Sequence, residues 1–290
     1  MTFQVHQPQS VSEAVQLAAS FGETARFLAG GTDLIIQINR KRCAPVHLIA
    51  LDRIDGLSGI AIGEHDIRIG ALTTHKAIER HPAFTGPLLA LAEAARVIGG
   101  HQVRNVGTIG GNIVNASPAA DLLPVLLALD ARVALTGTQQ TRQMRLIDFL
   151  SGPGTTTRSG DELLRHVAFA RLPQCAATAF IKAGRRRAME ISVVCVAAMV
   201  ALDGNDRCAT ARIGLGAVGP TALRATAAEQ SLRGQEMTDA ALGEAGRLAA
   251  AACTPISDVR ASADYRRMLV EALVPRALRR CLDRIGMAHA

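Results

Sequence analysis

Two stretches decide how this chain is read: Ala29-Gly30-Gly31-Thr32-Asp33 and, much further along, Thr108-Ile109-Gly110-Gly111-Asn112. Each sets a Gly-Gly pair beside small polar residues. Glycine has no Cβ, so its backbone can approach a bound phosphate closely, and successive N–H groups can turn toward one anion. A helix starting at such a turn adds partial positive charge. Thr32, Thr108 and Asn112 can add side-chain hydrogen bonds. A diphosphate has two anionic groups, so two such loops meeting from distant parts of the chain suit it. Neither loop follows the Gly-x-Gly-x-x-Gly fingerprint of a Rossmann fold. One Gly-Gly turn alone is ordinary turn chemistry; the pair carries the argument.

Working outward, Ser10 with Glu13 forms a capping box, and Ala14, Leu17, Ala18 and Phe21 give the apolar stripe of a first helix that Gly22 ends. A short strand, Arg26 to Leu28, runs into the first glycine loop, and a helical turn, Leu34 to Ile38, leaves it. Strands are expected at 46–51, 60–62 and 67–71, the last two a hairpin turning at Gly63-Glu64-His65-Asp66. Thr73 or Thr74 caps a short helix closed by Pro82, and Pro87 opens another. The stretch Gly99–Asn112 reads as Gly-rich, with a loop at Thr108–Asn112 and an apolar helix at about 122–129 after it. Residues 132–169 alternate as strands around a loop at 151–157. The pattern breaks at Arg171-Leu172-Pro173-Gln174, which places a boundary between a first domain, 1–174, and a second, 175–290. Beyond it come strands at 178–183, 190–202 and 212–218, then helices at about 221–233, 238–252 and 262–283. The fold class is α+β, with the smaller second sheet carrying helices on one face.

Composition narrows the function classes. The chain has 290 residues, 49% hydrophobic and 20% charged, which is ordinary for a folded protein and too apolar for disorder. Its longest apolar run, Val193 to Leu202, is too short to span a bilayer and reads as a buried strand. No basic-then-apolar leader follows Met1, so a cytoplasmic location is expected. The net charge of +7 is spread out, and aromatics make up only 3%, which argues against nucleic acid. The six cysteines, at 43, 175, 195, 208, 253 and 281, include no pair at metal-site spacing, so no metal is expected on this chain, and Cys195 reads as core. No catalytic triad stands out either.

The two loops, with Val103-Arg104-Asn105-Val106-Gly107 leading into the second, resemble the FAD-binding signature of the molybdenum hydroxylase flavoproteins, the medium subunits of xanthine dehydrogenases and carbon monoxide dehydrogenases. The resemblance continues through Ala116-Ser117-Pro118-Ala119-Ala120-Asp121-Leu122-Leu123-Pro124, through Phe180-x-Lys182, Arg186-Arg187 and Met189-Glu190-Ile191-Ser192, and through Pro255 to Arg266. It implies a two-part FAD-binding domain of the PCMH/vanillyl-alcohol-oxidase type followed by a carbon monoxide dehydrogenase flavoprotein-like C-terminal domain. It further implies that Ala29, Gly30, Gly31, Thr32, Asp33 and Leu34, with Thr108, Gly110, Gly111 and Asn112, wrap the FAD diphosphate. Asp121, Leu164 and Lys182 match further cofactor positions. An aliphatic Leu164 is otherwise plain core. Lys182 beside the flavin would stabilise the anionic reduced ring, or else is a solvated strand lysine. Arg104 and Asn105 are expected to shape the second loop, and Asp258 and Arg260 to fix the last helices. Arg185 to Arg187 face a partner or water. His101 is an ordinary loop histidine.

Thr32 stands where covalently flavinylated relatives of the wider superfold use His, so the resemblance implies non-covalent FAD. The scattered cysteines speak against the extra iron–sulfur cluster that some relatives insert. The implied partners are a large molybdopterin-bearing subunit and a small subunit with [2Fe–2S] clusters, as a dimer of heterotrimers passing electrons to NAD+ or another acceptor. The Ala29–Asp33 loop looks most like the xanthine dehydrogenase branch. The alternatives are a self-contained flavin oxidoreductase of the same superfold and an FAD-binding module without turnover.

Overall fold

The capping box at Ser10 forms with one change of partner. In the computed structural model, which describes residues 3–186 and 189–289, the Ser10 hydroxyl accepts the Glu13 N–H at 3.1 Å. The Glu13 carboxylate takes the N–H of Gln9, at 2.8 Å, instead of that of Ser10. Strand β1 (Gln4–His6) precedes this cap and helix α1 (Val11–Phe21) follows it. Then come β2 (Ala25–Leu28), α2 (Leu34–Asn39) and β3 (His47–Ala50). The three strands form a parallel sheet in the order β1-β3-β2. Ala14 and Ala18 of the expected stripe pack with Ile49 and Leu51, joined by Val15, while Leu17 and Phe21 are only partly buried against them. The first glycine loop leaves the carboxyl end of β2, where open parallel sheets characteristically hold ligands.

Strands β4 (Ile60–Ile62) and β5 (Asp66–Gly70) make the expected hairpin. Thr74, not Thr73, caps α3 (His75–Arg80), accepting the Ala77 N–H at 3.1 Å. Helix α4 (Leu89–Arg96) comes next. The second glycine segment, expected as a loop, opens a helix, because the Gly-rich stretch forms two short helices, α5 (His101–Val106) and α6 (Ile109–Asn115). Their glycines give weak helix propensity, and tertiary bonds override it. Arg104, 6% exposed, donates to the carbonyls of Ile98 and Gly99, both at 3.1 Å. Thr108 caps α6 by accepting the Gly111 N–H.

Helix α7 (Leu122–Ala128) leads to β6 (Arg132–Thr136), β7 (Thr141–Arg145), the single turn α8 (Leu146–Phe149), a small hairpin of β8 (Leu150–Gly152) and β9 (Thr155–Thr156), and β10 (Leu163–Ala170). The expected loop at 151–157 thus contains a hairpin. The larger sheet is antiparallel, β4-β5-β10-β6-β7, with its register shifting between Leu164 and His166. Such bulges re-aim side chains next to binding sites.

The rest of the chain builds an antiparallel sheet of β11 (Ala176–Ala183), β12 (Val194–Leu202), β13 (Cys208–Gly216) and β14 (Leu223–Arg224). Helices α9 (Thr226–Leu232), α10 (Asp239–Ala251) and α11 (Ala263–His289) complete it. The apolar run of β12 has a clear cause. Val194, Val196, Ala198 and Val200 join the core beneath α10 and α11, while Cys195, Ala197, Met199 and Ala201 join the core shared with α4 and α7. Both faces of this strand are buried, so alternation disappears from its sequence. Helix α7 sits tightly on β13: a Cβ on Gly214 would lie 2.1 Å from the Pro124 carbonyl oxygen.

Candidate cofactor-binding site

The two glycine segments meet. They wall a cleft of about 360 Å³, and eleven of the thirteen expected site residues line it: Ala29 through Leu34, Thr108, Gly110, Gly111, Asn112 and Leu164. Gly30 lies so close to the end of α5 that a Cβ there would stand 1.8 Å from the Val106 carbonyl oxygen. Gly31 takes φ +69°, where side chains are strained. The segment after β5 ties the second loop down. Gly110 donates to Ala71 O (2.8 Å), Ile109 to Thr73 O (3.0 Å), and the His75 N–H to Gly107 O (3.0 Å). A Cβ on Gly110 would meet Ala71 O at 2.6 Å. Three stretches distant in sequence thus close on one space.

The two loops differ in one respect that corrects the sequence reading. In the first, the N–H groups of Gly30, Gly31, Thr32 and Asp33 donate to no acceptor among the described residues. This is the open nest expected for an anion. In the second, the nest is already filled. The N–H of Gly110 goes to Ala71, that of Gly111 to the Thr108 hydroxyl (3.1 Å), and that of Asn112 to the Thr108 carbonyl (3.0 Å). The second loop therefore contributes a wall without Cβ atoms and the Asn112 side chain, and its N–H groups serve to build the turn.

Two buried polar atoms on residues lining this cleft lack a partner: Asn112 Oδ1 and His75 Nδ1. A buried orphan is costly, and ligand sites are where such atoms gather. The set fits FAD, with free N–H groups for a diphosphate, an orphan acceptor for a hydroxyl, and the apolar side chains of Ile98, Val103 and Leu164.

Sequence reasoning missed several lining residues. His75, 3% exposed, is pushed down to about 4 by burial and by the Arg104 cation. At one end the Arg158 guanidinium sits 5.8 Å from the centre of the Phe27 ring. It donates to the carbonyls of Ser159, Gly160 and Glu162 at 2.8–3.0 Å. Burial and the neighbouring Arg26 hold it below the usual arginine range. Glu162 is clamped by both arms of Arg142, at 2.6 and 2.8 Å. These residues carry no motif; β2, the segment after β5 and the turn before β10 bring them together.

Asp121 and Lys182 are not among the cleft-lining residues. The Lys182 ammonium donates to Asp121 Oδ2 (2.8 Å), Glu190 O (2.9 Å) and Val97 O (3.3 Å), so all three of its protons are used. Ser192 donates to the other Asp121 oxygen at 2.5 Å. Burial nonetheless pushes the Asp121 carboxyl up, against the pull of Lys182 and Ser192. This cluster joins α7, β11 and the entry to β12. The Ala116–Pro124 stretch is therefore seam as well as signature.

Among the remaining expectations, Arg104 does shape the approach to the second loop. Asn105 is exposed and makes no side-chain hydrogen bond among the described residues. His101, expected in a loop, is instead the exposed first residue of α5, 3.4 Å from Arg104. Asp258 and Arg260 pair at 2.9 Å, and a third partner, Arg266, bonds Asp258 at 2.7 Å. Arg185 and Arg186 both close onto Glu190 and are exposed, while Arg187 lies outside the described residues.

Fold and cleft together define a flavoprotein unit joined to a second, helix-backed sheet. Residues 1–173 match the family model described as the FAD binding domain in molybdopterin dehydrogenase, and residues 179–281 match the CO dehydrogenase flavoprotein C-terminal domain. The chain is 34% identical to the 6-hydroxypseudooxynicotine dehydrogenase complex subunit alpha of Paenarthrobacter nicotinovorans, over 95% of this chain and 93% of the relative. It is 33% identical to the carbon monoxide dehydrogenase medium chain of Hydrogenophaga pseudoflava, over 95% and 96%. The solved carbon monoxide dehydrogenase from Hydrogenophaga pseudoflava lacking the Mo-pyranopterin moiety superposes with a TM-score of 0.94, at 33% identity and 98% coverage of both chains. The chain belongs to the FAD-binding subunits of the molybdenum hydroxylase family.

Proposed function

We propose that this chain passes electrons from the [2Fe–2S] clusters of a small partner subunit to NAD+ or another acceptor. The substrate would be oxidised at a molybdenum–pterin centre on a large partner subunit, in a dimer of heterotrimers. The observation that carries this reading is the convergence of the two glycine segments on one cleft, with Gly30 against Val106. FAD, when bound, supplies the exchange between single electrons and electron pairs. The chain's own residues hold and shape it. The N–H groups of Gly30 to Asp33 receive the diphosphate, while Gly110 and Gly111 keep the wall clear. Asn112 meets a hydroxyl, and Ala29, Leu34, Thr108 and Leu164 complete the lining. Asp121 and Lys182 act from behind, by fixing Val97 and the seam next to Ile98. Binding is non-covalent, as Thr32 offers no nucleophilic ring nitrogen.

The narrower xanthine dehydrogenase-like assignment rests on the Ala29–Asp33 loop alone. The division at 174/175 leaves the cofactor loops in the first domain and Lys182 in the second. Among the described residues no helix is long and apolar enough to cross a membrane. The test is to purify the chain, look for a yellow flavin spectrum, then co-express the genes beside its own and assay for a complex holding molybdenum and iron. A colourless chain that takes up no added FAD would sink the proposal. A yellow monomer turning over a small substrate unaided would favour the self-contained oxidoreductase.

A further inference from the structure

We propose that His75 is a cofactor-binding residue, whose ring donates a hydrogen bond from Nε2 to an oxygen of the phosphate portion of FAD. The inference rests on the FAD reading above and extends it to a residue outside the glycine loops. His75 opens α3 directly after the capping Thr74, and its own N–H is fixed on the Gly107 carbonyl at 3.0 Å. Its ring is 3% exposed and lines the cleft; Nδ1 is sealed off without a partner, while Nε2 is not sealed and bonds no protein group among the described residues. A Cβ built on Gly107 would lie 3.2 Å from the His75 ring carbon Cδ2 and 3.4 Å from the Thr32 hydroxyl oxygen. The Cδ2–Nε2 edge of the imidazole therefore lies on the Gly107 side, near Thr32 of the open nest.

A purely structural histidine in so buried a place would bond a carbonyl or carboxylate. This one bonds no protein group among the described residues and is held neutral by burial and by Arg104. A neutral imidazole can still donate one hydrogen bond from the protonated nitrogen. An N–H facing a phosphate oxygen has a charged acceptor, which roughly doubles the strength of the bond.

The test uses the full-length chain stripped of flavin, comparing wild type, His75→Leu and His75→Asn. Binding of FAD and of riboflavin, which lacks phosphate, is followed by quenching of flavin fluorescence. Loss of one hydrogen bond to a charged group is worth about tenfold to a hundredfold in affinity. His75→Leu is expected to weaken FAD by that factor and leave riboflavin unchanged, with His75→Asn in between. The stripped His75→Leu chain should melt no lower than wild type, because an apolar group replaces an unpartnered nitrogen. Unchanged FAD binding, an equal loss for both ligands, or a His75→Leu chain that fails to fold would each overturn the proposal. Failure of wild type to bind FAD would instead remove the reading on which it stands.

Discussion

Gly30 and Val106 touch backbone to backbone, with no room between them for a single methyl group: a Cβ on Gly30 would overlap the Val106 carbonyl oxygen at 1.8 Å. This contact joins the loop after β2 to the end of α5 and brings the open nest beside the Asn112 side chain. Backbone on both sides of the contact leaves no flexible atom to move aside. Gly30→Ala is therefore expected to push the first loop out of register. Overpacking of this kind destabilises by about 1–3 kcal/mol. The variant should emerge from gel filtration with little bound flavin and a lowered melting temperature. Flavin content equal to wild type would show that the contact does not set the cleft.

Lys182 and Asp121 illustrate a different dependence. Both are largely buried, at 13% and 8% side-chain exposure, and the lysine's donors are fully used. Removing one member leaves a buried charge without its partner, which destabilises by about 3–5 kcal/mol where burial is deep. Lys182→Met should approach the lower end of that range, because Ser192 still serves Asp121. The double variant Lys182→Met with Asp121→Asn should recover part of the loss. Urea denaturation of the four chains in the cycle measures the coupling. A single variant as stable as wild type would mean that the pair contributes nothing to the seam.

The same pair marks the limit of what could be read from sequence. The glycine loops were legible because their conformational demands are local: Gly31 at φ +69° needs no distant partner to be recognised. Helix α1 was legible through its cap and stripe. Helices α5 and α6 were not, because Arg104 and Thr108 hold them by bonds that propensity does not anticipate. The filled state of the second loop was invisible for a similar reason, since its acceptor, Ala71, lies on another segment. His75, Arg158 and Phe27 belong to no motif and become site residues only through the folding of β2, β5 and β10 around the cleft.

His75 also predicts how stability depends on pH. Its folded value is about 4, against 6.5 for an unperturbed histidine. Between those values the unfolded chain takes up a proton that the folded chain refuses. Stability is therefore greatest above about pH 6.5, falls as the pH drops toward about 4, and levels off below, with a span of up to about 3 kcal/mol. In flavin-free chain, His75→Leu should flatten this part of the stability profile. A profile unchanged by the substitution would place the titration elsewhere.

The acid limb of the profile should belong partly to Asp258. Its carboxyl is held far below the ordinary value of 3.8, first by the Arg260 guanidinium, then by backbone N–H groups and by Arg266. A depressed folded value contributes stability that is present above about pH 4 and is lost as pH falls toward the folded value. Arg266 is the member on which the architecture turns. It is 2% exposed, and besides Asp258 it donates to the carbonyls of Val193 (2.6 Å) and Ala217 (2.9 Å). It thereby ties the start of α11 to the entry of β12 and the exit of β13. Arg266→Met would strand both carbonyls, although Arg260 would still neutralise Asp258, so a loss of about 2–3 kcal/mol is expected. Asp258→Asn should cost less at neutral pH and should steadily lose its disadvantage as the solution is acidified. Two chains with parallel stability profiles down to the acid limit would show that the carboxylate carries none of the load, leaving the two carbonyl bonds of Arg266 as the whole of the tie.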